Sequence, residues 1–129
     1  MKKVLNMLIV TLMLVGTMVS VFAMEYPEAF SQCKQKPMML LIYADWADGY
    51  QQALTNFNNI QNLYPKDFNY VKMNIADKSA KEYNKRFPFE VNLPYAIMMK
   101  NGGTIARYIK GSCVSDMACY EKSIKFFIH

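Results

Sequence analysis

Met38-Met39-Leu40-Leu41-Ile42-Tyr43 is a continuous apolar run, the pattern of a strand buried on both faces of a sheet. After Trp46, the residues Tyr50, Ala53, Leu54, Phe57 and Ile60 recur at three- and four-residue intervals, which predicts an amphipathic helix over 48–63. Asp48 then stands near the positive end of that helix. Ahead of the strand, residues 25–35 read as a short helix stopped by Lys36-Pro37, because a residue before proline resists the helical region. Beyond the Tyr64-Pro65 break, residues 68–75 alternate as a second strand with Val71, Met73 and Ile75 on one face. Asp77 or Ser79 is placed to cap a short helix running to Arg86. Residues 95–100 and 104–109 flank Asn101-Gly102-Gly103 and predict an antiparallel hairpin, with Gly111 closing its second strand. Ser115-Asp116 forms an N-cap pair for a last helix whose apolar face is Met117, Tyr120, Ile124, Phe127 and Ile128. Strands alternating with helices call for a parallel sheet, to which the hairpin adds an antiparallel edge.

The N-terminus follows another pattern. Lys2 and Lys3 precede an apolar stretch from Val4, and Val21-Phe22-Ala23 offers small residues at the positions a signal peptidase reads. Residues 1–23 are therefore expected to be a secretory signal peptide, leaving one domain over 24–129 with no stable membrane span. Retention of the stretch as an anchor is the competing expectation, which Gly16, Thr17 and Ser20 weaken. The formal charge of +5 falls to about +3 without Lys2 and Lys3, too little to imply nucleic acid. Export makes the compartment periplasmic or extracellular and oxidising, so two of Cys33, Cys113 and Cys119 are expected to pair. Spacing favours Cys113 with Cys119, and Cys33 then reads as a buried free thiol. A structural disulfide, a redox-active pair and free thiols are the three readings of Cys113 and Cys119.

Other chemistry is thin. Met38-Met39 and Met98-Met99 suggest a soft copper site only until strand alternation is applied, which sends neighbours to opposite faces of a sheet. His129 is the only histidine. There is no Ser-His-Asp set and no phosphate-binding glycine loop, so neither a metal nor a cofactor is implied. Lys78, Lys81, Lys85 and Arg86 read as the solvated face of one helix.

This order of elements, with a strand ending in Tyr43-Ala44-Asp45-Trp46-Ala47-Asp48-Gly49-Tyr50, resembles the thioredoxin-like family and its aromatic-Ala-acidic-Trp-Cys-x-x-Cys segment. Val91-Asn92-Leu93-Pro94 stands where that family carries a cis-proline. Met99-Lys100-Asn101-Gly102-Gly103 is similar to its hairpin, and Lys110-Gly111 to the glycine after its last strand. The resemblance implies an α/β thioredoxin-like fold, a central mixed sheet flanked by helices on both faces, with the first and last helices on opposite faces. It also shows what is missing. The family's two redox cysteines fall on Ala47 and Tyr50, and its buried carboxylate falls on Leu41. Disulfide exchange needs a thiolate, so the ordinary reaction is excluded at this turn.

Two functions follow as expectations. The first is a non-catalytic module that binds a protein or peptide of the cell envelope. Its groove would comprise Trp46, Ala47, Tyr50, Leu93, Pro94 and Tyr95, the place where the family lays an extended peptide beside its cis-proline. The second is a thiol-disulfide oxidoreductase whose active pair has moved to Cys113 and Cys119, since the resemblance puts Cys113 at the edge of that groove.

Overall fold

The computed structural model describes residues 24–90 and 92–129. The signal-peptide reading of residues 1–23 lies outside the described residues. In chain order the elements are α1 (Tyr26–Ser31), β1 (Met38–Tyr43), α2 (Tyr50–Leu63), β2 (Asn69–Asn74), α3 (Lys78–Arg86), β3 (Tyr95–Lys100), a 3-10 turn (Asn101–Gly103), β4 (Ile105–Ile109), α4 (Gly111–Val114) and α5 (Met117–Ile128).

The strands form one sheet in the order β2-β1-β3-β4. β1 runs parallel to β2, with Leu40 opposite Val71, and antiparallel to β3, with Leu40 opposite Ile97. The sheet is therefore mixed, as expected, but the hairpin is not merely an edge. Its first strand, β3, is inserted at the centre beside β1, and of the hairpin's two strands only β4 lies at an edge, paired to β3 from Ala96–Ile109 to Lys100–Ile105. Central position explains why Tyr95 to Met99 are all buried, whereas β4 buries only Ile109.

Alternation along the strands divides the core in two. Met39, Leu41, Ala96 and Met98 face α2, α4 and α5, where they meet Phe57, Ile60, Val114, Tyr120 and Ile124. Met38, Leu40, Ile42, Ile97 and Met99 face α1 and α3, where they meet Tyr26, Ala29, Cys33 and Tyr83. The methionine pairs thus straddle the sheet as core filling. The first and last helices cover opposite faces, so Cys33 is a buried free thiol across the sheet from the other two cysteines.

Helix ends depart from the sequence reading for local reasons. α1 ends at Ser31 rather than at Gln35, and the chain winds on in single turns, with Gln35 N donating to Gln32 O at 3.0 Å. α2 begins at Tyr50, two residues later than expected, because Gly49 turns left-handed (φ 81°) at its N-cap. Asp77 precedes α3 with extended backbone, but its carboxylate turns back to accept from Asn74 N at 2.9 Å. Ser115 does not cap α5. Its backbone is right-handed helical, closing α4, while the extended Asp116 accepts from Ala118 N at 3.0 Å and Cys119 N at 3.4 Å.

Candidate functional site

The turn from Ala44 to Tyr50 carries β1 into α2 and is held by its own backbone. Ala47 N donates to Ala44 O at 3.0 Å, and Ala53 N to Gly49 O at 3.0 Å. Asn74 Nδ2 at the end of β2 donates to Asp45 Oδ1 at 3.3 Å, fixing the start of the turn to the neighbouring strand. Tyr50 lies flat on Tyr43, with ring centroids 6.2 Å apart and planes 9° apart. Burial raises the Tyr43 hydroxyl above its ordinary pKa, and the carboxylates of Asp77 and Asp45 add to the rise. Within the turn, Ala47 is buried while Trp46 is 74 % exposed. An open depression of about 500 Å³ runs over Asp45 to Gln52.

Two further segments reach this end of the sheet. The Leu93-Pro94 peptide is cis, and a Cβ on Gly111 would stand 3.0 Å from Pro94 O, so the start of β3 and the end of β4 are in close contact. A Cβ on Gly49 would stand 4.0 Å from Ser115 Oγ, and buried Asn56 Nδ2 donates to Val114 O at 2.8 Å. The turn, the proline and the segment after β4 are therefore neighbours.

The six groove residues do not share one surface. Trp46 is open to solvent and Tyr50 and Leu93 are half-buried, but Ala47, Pro94 and Tyr95 are buried. Tyr95 points into the α1–α3 core beside Tyr83 because it shares the parity of Ile97 and Met99 along β3, and its hydroxyl accepts from Glu90 N at 3.2 Å. An exposed aromatic wall at Tyr95 is thus corrected to a buried one. Leu41, where the resemblance places a carboxylate, is fully buried among apolar side chains.

Cys113 and Cys119 form a disulfide, with Cα atoms 5.2 Å apart, linking α4 to the first turn of α5. Both are half-buried, and Cys113 packs against the α2–α5 core. A helix N-terminus favours a thiolate through its free N–H groups. Here Asp116 already accepts from two of those groups, one of them on Cys119. Among the described residues no cluster of His, Cys, Asp and Glu is arranged to hold a metal.

A second cavity, of about 680 Å³, opens on the other side of Pro94 between Tyr95, Tyr108, Glu90 and Lys110. The sequence reading missed it, since Tyr108 and Lys110 carry no motif. Tyr108 does share strand parity with buried positions across the pair, opposite Ile97, which was the available signal.

The molecule has the thioredoxin fold. No family model matches the sequence, and no curated protein sequence matches it. Among solved structures, the Schistosoma mansoni thioredoxin pre-protein is similar over 80% of this chain and 95% of its own, at 21% identity and a TM-score of 0.63. Thioredoxin O2 from Arabidopsis thaliana matches over 80% of this chain and 86% of its own (18% identity, TM-score 0.61), and mitochondrial thioredoxin 3 from Saccharomyces cerevisiae over 80% and 91% (20% identity, TM-score 0.59).

Proposed function

We propose that this is an exported thioredoxin-fold protein that binds a protein or peptide of the cell envelope without performing dithiol chemistry at the Trp46 turn. The observation that carries the reading is the pairing of a largely exposed Trp46 with Ala47 and Tyr50 at the positions where the resemblance places thiols. A large aromatic side chain left in water at a backbone-rigid turn suits an interface anchor, since tryptophan and tyrosine are enriched at contact centres. Export to the periplasm or the medium rests on Lys2, Lys3 and the apolar stretch ending at Ala23.

Replacing Tyr50 with a photoreactive residue in the native envelope tests the reading. Cross-links to a discrete partner at Tyr50 support it. Partners captured only from other surface positions refute it.

A second reading, an oxidoreductase at Cys113 and Cys119, draws on the half-buried disulfide at the same end of the sheet. Its discriminating measurement is the reduction potential of that bond together with insulin reduction. A potential below about −300 mV describes an inert structural bond, and a value in the range of catalytic dithiols describes an enzyme.

A further inference from the structure

The cavity beside Pro94 has walls of unlike character. Tyr95 supplies a buried ring, and Tyr108, 42 % exposed on the edge strand, supplies a second ring 5.9 Å away and tilted by 42°. Tyr95 is 2 % exposed, so the ring that offers an open face is that of Tyr108, and such a face carries the negative part of the aromatic quadrupole. Glu90 closes one side, and its backbone N–H occupies the Tyr95 hydroxyl at 3.2 Å, which leaves the Glu90 carboxylate as the charged group beside the rings. Burial raises the hydroxyl of Tyr108, and the Glu90 carboxylate adds to the rise, so its charge reaches the phenol end of the cleft. Lys110, exposed at the rim, opposes it from a well-solvated position. At about 680 Å³ the space exceeds what one side chain needs, within the range of ligand pockets generally.

We propose that this cavity receives a basic side chain of the bound peptide, its cation lying over the exposed Tyr108 ring and paired with the Glu90 carboxylate. An open ring face and a carboxylate are the combination that attracts a cation and gives a neutral side chain of the same length no equivalent gain. The proposal deepens the peptide-binding reading and rests on it: Gly111, which lines the cavity, abuts Pro94 O, so the cavity adjoins the proline beside which the family resemblance lays a peptide.

The test uses single capped residues on the whole domain, followed by amide chemical shifts. N-acetyl-arginine amide is expected to shift Tyr108, Lys110, Gly111 and Ser112 saturably, and N-acetyl-norleucine amide to bind about tenfold more weakly. Glu90→Gln should erase that preference, while Lys110→Met should strengthen arginine binding about threefold by removing a like charge. Equal binding of the two probes, indifference to Glu90→Gln, or shifts confined to the Trp46 turn would each overturn the proposal. So would tighter binding of N-acetyl-phenylalanine amide, which would make the cleft a site for neutral rings. Because the probes carry no peptide chain, their result is separate from the Tyr50 cross-linking. Loss of arginine preference with cross-links intact sinks the pocket alone, and the reverse sinks the peptide reading.

Discussion

Asn56 and Val114 are joined across 58 residues by a buried hydrogen bond, Nδ2 to carbonyl oxygen at 2.8 Å, which ties the middle of α2 to the end of α4. Asn56 is 2 % exposed on an otherwise apolar helix face, and its own Oδ1 accepts from Gln52 Nε2 at 2.9 Å. The bond therefore fixes the disulfide-bearing segment against the helix that starts at the Trp46 turn. Asn56→Leu leaves the Val114 carbonyl without its partner in a buried place and should cost about 1–3 kcal/mol, read as a lowered urea midpoint at unchanged slope.

That contact also marks where sequence reasoning stopped. The buried strand at Met38–Tyr43, the hairpin at Asn101-Gly102-Gly103 and the helix faces were legible because period and turn chemistry act locally. The central place of β3 was not, since inserting a hairpin strand beside β1 is decided by long-range pairing. The cap of α5 went to Asp116 rather than Ser115 because a short helix, α4, precedes it and takes Ser115 as its last turn. Tyr95 was read as a groove residue from its neighbour Pro94, whereas strand parity with Ile97 and Met99 turns it inward. Asn56 carries no signal in the helix periodicity, and only the fold supplies the carbonyl it serves.

Trp46 is the sole tryptophan, which makes it a clean reporter. At 74 % exposure it has little burial to lose, so Trp46→Ala should change stability by no more than about 0.5 kcal/mol while weakening partner capture. Its fluorescence should be readily quenched by acrylamide in the free protein and protected in the complex. Unchanged quenching on saturation with a captured partner would remove Trp46 from the interface.

The disulfide closes a loop with a sequence separation of 6, so its entropic contribution is modest, about 2 kcal/mol on the chain-closure model. Replacing both Cys113 and Cys119 with serine should lower the thermal midpoint without abolishing folding. Cys33, 1 % exposed, should resist alkylation in the native protein and react as a single thiol after denaturation without reductant. Three reactive thiols under those conditions would mean that the Cys113–Cys119 bond is not maintained in solution.

Turn chemistry also predicts a steric cost on the far side of the hairpin. Gly103 has φ +89°, and an added Cβ would approach Phe30 Cε2 to 2.9 Å, with a second ring carbon at 3.1 Å. Phe30 cannot easily yield, because its ring packs against Tyr26 and Phe87 and carries the Arg86 guanidinium at 4.8 Å. Gly103→Ala should therefore combine left-handed strain with a clash and destabilise by about 1–3 kcal/mol, whereas Thr104→Ala on the exposed side should lose only the bond from its hydroxyl to Asn101 O.

Burial raises the hydroxyls of Tyr70, Tyr83 and Tyr120 strongly above their ordinary value of 10.0. Below that value both folded and unfolded chains keep these protons, and the contribution of the buried rings is complete. Above it the unfolded chain releases protons that the folded chain retains, so the unfolded state binds fewer protons and stability falls as pH rises. The urea midpoint should be insensitive to these groups below about pH 9 and decline progressively above about pH 10. Tyrosinate absorbance checks the cause. The exposed fraction of the nine tyrosines should ionise without unfolding, and the buried fraction only together with loss of the far-ultraviolet helical signal. Full ionisation while that signal persists would mean that these rings are open to solvent.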